Sequence, residues 1–110
     1  MPFSLANDKL SFSFRAKPWL VQGKGGWVFV SLPKKRAVQL RALADEYAAA
    51  WGSIRVRLKI GDHKWESSLF PDTRRQTYLL PLKADVRRKT GVMAGKTCLI
   101  SLEILGRHRK

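Results

Sequence analysis

One pattern occurs twice in this chain. Val30-Ser31-Leu32-Pro33-Lys34 closes an apolar strand and leads through a helical stretch and Gly52 into the strand Ile54–Ile60. Tyr78-Leu79-Leu80-Pro81-Leu82-Lys83 closes another strand and leads through a shorter helical stretch, Gly91 and Gly95 into a last strand over residues 97–104. Proline stops a ladder because it has no N–H to donate, and glycine takes the backbone conformation that ends a helix. A doubled strand–Pro–helix–Gly–strand unit implies a small barrel made of two related halves.

The strands around these units alternate. Leu10, Phe12, Phe14 and Ala16 share one face of an N-terminal strand, with Ser11, Ser13 and Arg15 on the other; a period of two marks a half-buried strand. In Ile54–Ile60 each second residue is basic and the rest are aliphatic. Gly61-Asp62 suits a two-residue hairpin with glycine at positive φ, a type II′ turn. The return strand, over residues 64–70, places Trp65, Ser67 and Leu69 on one face, and residues 71–75 read as a polar turn. Cys98, Ile100, Leu102 and Ile104 point inward from the last strand. The main helix is expected over residues 35–50. Leu40, Leu43, Ala44, Tyr47, Ala48 and Trp51 form its apolar stripe and Arg36 lies on its surface.

The expected fold is therefore mostly β: a closed barrel of six or seven strands in two pseudo-repeated halves, with one main helix packed across an opening. Closure removes the exposed edges of so short a sheet. An open parallel α/β sheet is disfavoured, because strands covered on both faces read as continuous apolar runs.

At 110 residues the chain is expected to be a single domain, with a core over residues 10–104 and a basic tail over residues 105–110. Cys98 is the only cysteine, which excludes an intrachain disulfide. The first residues lack the basic-then-apolar pattern of a secretory leader, and no apolar run reaches the roughly 20 residues of a membrane span. A soluble, cytoplasmic protein is expected. There are 22 Lys and Arg against 8 Asp and Glu, a formal charge of +14. That balance favours polyanionic partners or, in the plainer reading, serves solubility alone.

Residues 25–33 (GGWVFVSLP), Trp51-Gly52-Ser53, Ile60-Gly61, residues 65–71 (WESSLFP) and residues 78–87 (YLLPLKADVR) together resemble the bacterial domain of unknown function 1905. The resemblance runs from about Leu10 to Glu103. It implies a small closed β-barrel of swapped or cradle-like topology, found in some bacteria fused to a domain named for bacteriocin protection, and it brings no catalytic residues. Residues 80–96 are also similar, more distantly, to the swapped-hairpin module of small bacterial transition-state regulators and antitoxins, which implies a shared topology.

Little in the chain points to catalysis. Between Gly91 and Gly95 lie three residues where a phosphate loop has four, and Lys96 opens a strand where that loop opens a helix. Gly23-Lys24-Gly25-Gly26 reads as a turn. His63, His108 and Cys98 lack metal-ligand spacing, and the eight acids are scattered. No metal or cofactor is expected, and enzyme activity is disfavoured.

The leading candidates are cations. Arg55, Arg57 and Lys59 project from one strand face at intervals of roughly 6.6–7 Å, close to the phosphate spacing of an extended nucleic-acid strand. Lys34, Lys35 and Arg36 follow the first Leu-Pro step, and Arg87, Arg88 and Lys89 follow the second, so pseudo-symmetry would let the triplets flank one groove. The expected function is a non-enzymatic module holding a polyanion, nucleic acid foremost. The plainer reading is a solvated outer face. Two alternatives stand beside it: a small-ligand barrel with a pocket at Trp27, Trp65, Ser67 and Tyr78, and a protein-interaction domain.

Overall fold

A computed structural model describes residues 4–6, 9–21, 26–43 and 52–105. The strands are β1 (Ser4–Ala6), β2 (Lys9–Ala16), β3 (Trp19–Leu20), β4 (Val28–Ser31), β5 (Ile54–Ile60), β6 (His63–Asp72), β7 (Thr77–Pro81) and β8 (Cys98–Ile104). Helix α1 (Lys34–Ala42) follows β4, and α2 (Ala84–Thr90) follows β7. The strands form one antiparallel sheet in the order β1-β2-β8-β5-β6-β7-β4-β3.

The sheet is an open half-barrel, which corrects the expectation of a closed barrel of six or seven strands. The hydrogen-bonded order is linear, ending at β1 and β3. Yet β2 and β3 are consecutive in the chain, while β3 ends that order and β2 stands next to its other end, inside β1. Only Lys17 and Pro18 separate them, and Pro18 has no N–H with which to continue a ladder. Polypeptide bridges the seam, and no rung of the ladder does.

β6 makes the bend possible by changing partners. It pairs with β5 as far as Ile54–Leu69 and with β7 from Phe70–Leu79 to Asp72–Thr77. Two prolines mark the exchange. Leu32 N–H donates to Tyr78 O at 3.0 Å, so Tyr78 turns its polar groups toward β4. Pro71, opposite Tyr78, therefore turns its ring nitrogen toward β5, whose ladder with β6 has already stopped. Leu82 N–H donates to Val28 O at 2.9 Å. Pro81, one residue earlier, turns its nitrogen toward β6, beyond the last β6–β7 pair. Each proline sits where no donor is required. The polar turn therefore starts later than expected, after Asp72.

Alternation fills the inner face. Leu10, Phe12, Phe14 and Ala16 of β2 are buried, as are Ile54, Val56 and Leu58 of β5 and Ile100, Leu102 and Ile104 of β8. Cys98 packs partly buried against them. Each large aliphatic side chain so buried is worth about 1.5–3 kcal/mol. Gly61 has φ +58° and Asp62 keeps a negative φ, which fits the expected type II′ turn closing Ile60 on His63.

Helix α1 adds Ala37 and Leu40 to the core, with Leu43 packed beside them. The expected continuation of the helix over residues 44–50, with Ala44, Tyr47 and Ala48 of its stripe, lies outside the described residues, as does Trp51. Arg36 corrects the expected surface position: it is 8% exposed. It stands four residues before Leu40 and so shares Leu40's face. Its guanidinium lies 4.6 Å from the centre of the Phe12 ring and donates to Gln39 Oε1 at 3.1 Å.

Candidate polyanion surface and aromatic groove

The alternation that buries one face of β5 sends Arg55, Arg57 and Lys59 outward, and the register decides what each meets. Arg57 stands opposite Glu66 of β6 and opposite Glu103 of β8. It donates to Glu66 Oε2 at 3.0 Å and to Glu103 Oε1 at 3.5 Å. These interactions, the bond to Glu66 foremost, hold its guanidinium above the ordinary arginine pKa. Arg55 donates to Ser68 Oγ at 3.2 Å and to Glu66 Oε1 at 3.4 Å. Two of the three cations of the stripe are thus engaged by carboxylates.

The third is placed otherwise. Lys59 stands opposite Lys64, and both are exposed. The hairpin closes on Ile60–His63, so Lys59–Lys64 is a non-hydrogen-bonded pair, the geometry that brings side chains closest. Like charges directly opposite destabilise a sheet. The same tip borders a hollow of about 500 Å³ lined by Ile60, Gly61, Asp62, His63, Lys89 and Thr90. The end of α2 thereby brings Lys89 beside the tip. The His63 ring stacks on Trp65, with centres 5.6 Å apart.

The two basic triplets occupy different places on their helices. Lys34, Lys35 and Arg36 open α1, whose first turn holds no acid. Cations there oppose the helix dipole. Arg87, Arg88 and Lys89 close α2, where the dipole favours them by about 0.3–1 kcal/mol. Arg87 Nε also donates to Leu82 O at 3.0 Å. Lys34 lines a hollow of about 510 Å³ with Ala37, Val38, Arg41, Ala42 and Gln76, and Lys89 lines the other. Among the described residues the structure does not bring the two triplets to one hollow.

Nor does it gather the expected pocket residues. Tyr78 is 3% exposed, and burial pushes its hydroxyl above the usual pKa. Trp65 packs partly buried against the core, and Ser67 shares its strand face. Trp27 is 53% exposed and faces the opposite way.

Trp27 instead belongs to a groove on the outer face of β4, β7 and β6. Trp27, Phe29, Phe70, Leu79, Pro81 and Lys83 line about 400 Å³ there. The Trp27 and Phe29 rings lie nearly parallel, 6.2 Å apart at 11°. On its other side Phe29 meets Trp19 at 5.6 Å. The Trp19 indole N–H donates to Ser31 Oγ at 3.0 Å, and the Arg75 guanidinium lies 5.0 Å from the centre of the Trp19 ring. The sequence carries a signal for this face. Val28 and Val30 alternate with Trp27 and Phe29, so the segment is apolar on both sides, and a strand with one solvated face is not.

Among the described residues no group of three or more His, Cys, Asp or Glu could hold a metal ion, and no helix is long and apolar enough to cross a membrane. A family model described as a domain of unknown function (DUF1905) matches residues 14–102. No curated protein matches the chain.

Proposed function

The chain belongs to the DUF1905 family, and from that premise we propose that it is a non-enzymatic binding module whose basic surface holds a polyanion, nucleic acid foremost. The observation that carries the reading is the Lys59–Lys64 pair, two exposed lysines at opposed positions on the outer face, with Lys89 at the same hairpin tip. The fold keeps a repulsion that a phosphate would relieve. Lys34 and Lys35, at a helix end where the dipole disfavours them, support it in the same way. Arg55, Arg57, Arg87 and Arg88 add to the surrounding field, while Arg36, packed on Phe12, contributes from beneath the surface. Affinity comes from counterion release with little base reading.

The doubled-unit reading belongs with this proposal. Leu32 N–H donates to Tyr78 O and Leu82 N–H to Val28 O, and each of these leucines stands two residues before the first residue of its helix. The two Leu-Pro steps are displaced relative to that correspondence: Pro33 precedes α1 directly, whereas Pro81 ends β7.

The test is fluorescence anisotropy of labelled duplex and single-stranded oligonucleotides across a salt series. The logarithm of the affinity should fall linearly with the logarithm of salt. Changing Lys59, Lys64 and Lys89 to Gln should lower the slope by roughly 0.7–0.9 for each phosphate left unneutralised. No binding at low salt, or a slope near zero, ends the reading.

A second reading has one specific observation behind it. The exposed apolar groove at Trp27 and Phe70 is the kind of surface that marks a protein-interaction domain.

A further inference from the structure

We propose that the groove of Trp27, Phe29 and Phe70 is a stacking site for the bases of a single-stranded nucleic acid, whose phosphates run toward the hairpin tip. This rests on the polyanion reading and deepens it, by naming the strand state and the part of the ligand that enters the groove.

Three observations choose the occupant. The first is the lining. The walls are aromatic and aliphatic, and Lys83 is the one residue among them that carries a charge. Trp27 is 53% and Phe70 45% exposed, so both present ring surface to a ligand. A wholly apolar lining that includes the stem of a lysine suits a base joined to a phosphate. A second copy of this chain would bring another Lys83, and another +14 charges, to the same interface.

The second is the backbone. The groove lies on a sheet face, and the strands beneath it are paired to each other: β4 with β7 and β7 with β6. A peptide strand lying there would find its own N–H and C=O groups without ladder partners, and unpaired polar groups are costly to bury. A base stacked on Trp27 needs no such partners, because every base has a π-face. In a duplex those faces are covered by the stacked neighbouring base pairs.

The third is continuity along β6. Lys64, Glu66, Ser68 and Phe70 alternate onto one face of the strand. Six residues at about 3.4 Å each separate the groove at Phe70 from Lys64, so the path is about 20 Å at most. Three or so nucleotides cover that distance at roughly 6–7 Å each, the extended counterpart of the axial spacing in duplex DNA. Along the path the Glu66 carboxylate is engaged by Arg55 and Arg57, which lowers its repulsion of a passing phosphate.

The experiment uses the full chain and three labelled probes: an oligothymidylate of about 12 nucleotides, within the range of single-strand sites of this type, a duplex of the same length, and an acidic peptide of alternating Asp and Phe. Trp27→Ala should weaken the oligothymidylate about tenfold and leave the duplex within twofold; Trp27→Phe, which keeps a π-face, should recover most of the loss. Circular dichroism and thermal melting confirm that the variants are folded. If Trp27→Ala leaves oligothymidylate affinity unchanged while the lysine changes still reduce it, the stacking site is refuted and the polyanion reading stands. If neither nucleic acid binds at low salt, both fall. If the acidic peptide binds more tightly than the oligothymidylate with the same dependence on Trp27, the groove is a protein-docking site and the proposal is overturned.

Discussion

Arg57 and Glu103 face each other across the β5–β8 pair, joined at 3.5 Å, while the same guanidinium holds Glu66 of β6 at 3.0 Å. Three strands are thus tied side by side by one cation. The row is half exposed, so it adds little to stability. Its larger effect is on the field above the sheet, which it partly neutralises.

Glu66→Gln releases Arg55 and part of Arg57 from their shared carboxylate. Oligonucleotide affinity should rise at low salt, and the salt slope should steepen by up to roughly 0.7–0.9 for each additional phosphate neutralised. Urea denaturation should move by less than about 1 kcal/mol. Weaker binding by this variant, in anisotropy titrations, would show that the carboxylate aids the site.

Gly52 lies against Pro71 in the corner where β6 leaves β5. A Cβ at Gly52 would come 3.3 Å from Pro71 Cγ, and the backbone there has φ +75°. Gly52→Ala meets both the left-handed strain and the crowded ring, so it should cost about 1–2 kcal/mol from the backbone alone. Chemical denaturation measures this; an unchanged midpoint would mean that the corner relaxes freely.

The Asp72 carboxyl is held below the ordinary carboxylate range, first by the side-chain hydrogen bond from Arg75 at 2.7 Å and then by backbone N–H and charge. A carboxyl lowered in the folded state stabilises above its unfolded value of about 3.9, and that contribution is lost as pH falls through the folded value. Arg75→Gln should raise the Asp72 midpoint, followed by carboxyl carbon NMR. The same change removes the cation over Trp19, so the indole resonances should shift with it.

Burial pushes the Cys98 thiol above its usual pKa. The reactive thiolate is therefore scarcer at neutral pH than in a free cysteine. Alkylation by iodoacetamide should be slower than for a cysteine peptide, and its rate should keep rising past the pH at which the peptide reaches its plateau. A rate equal to the peptide's at pH 7 would place the thiol in water.

Local periodicity makes β2, β5 and β8 legible, because alternation over seven or eight residues leaves one consistent inner face. The Gly61-Asp62 turn is equally plain, as two-residue hairpins demand a particular backbone. Pro71 misleads: proline reads as a strand end, yet β6 runs through it, since a strand that is changing neighbours has a position with no donor to supply. Arg36 escapes the pattern because the apolar stripe starts at Leu40, and the position four residues earlier holds a charge where a hydrophobic residue would extend it. Closure is beyond local pattern altogether. Whether the sheet closes depends on the whole order of strand pairing, which joins segments far apart in sequence, and Lys17–Pro18 carries the chain across the seam without a rung.

The cationic stripe is visible in Arg55, Arg57 and Lys59, but its partners are not, because Glu66 and Glu103 come from strands whose register is set elsewhere. The groove is hidden for a related reason. Trp27, Phe70 and Pro81 are far apart in sequence and meet only because β6 delivers Phe70 to β7. The apolar character of both faces around Phe29 is the available sign, and taken alone it reads equally well as core.

The seam between β2 and β3 has a mechanical consequence. Gly95 N–H holds Pro18 O at 2.8 Å there, while the rungs of every ladder lie elsewhere. Among the described residues, spreading the shell at that corner sacrifices that tie and leaves each strand pair whole. Deformation is cheapest where the fewest cooperative bonds must yield, so the molecule has a soft side and a stiff one, and anything that prises it apart will find its purchase beside Pro18.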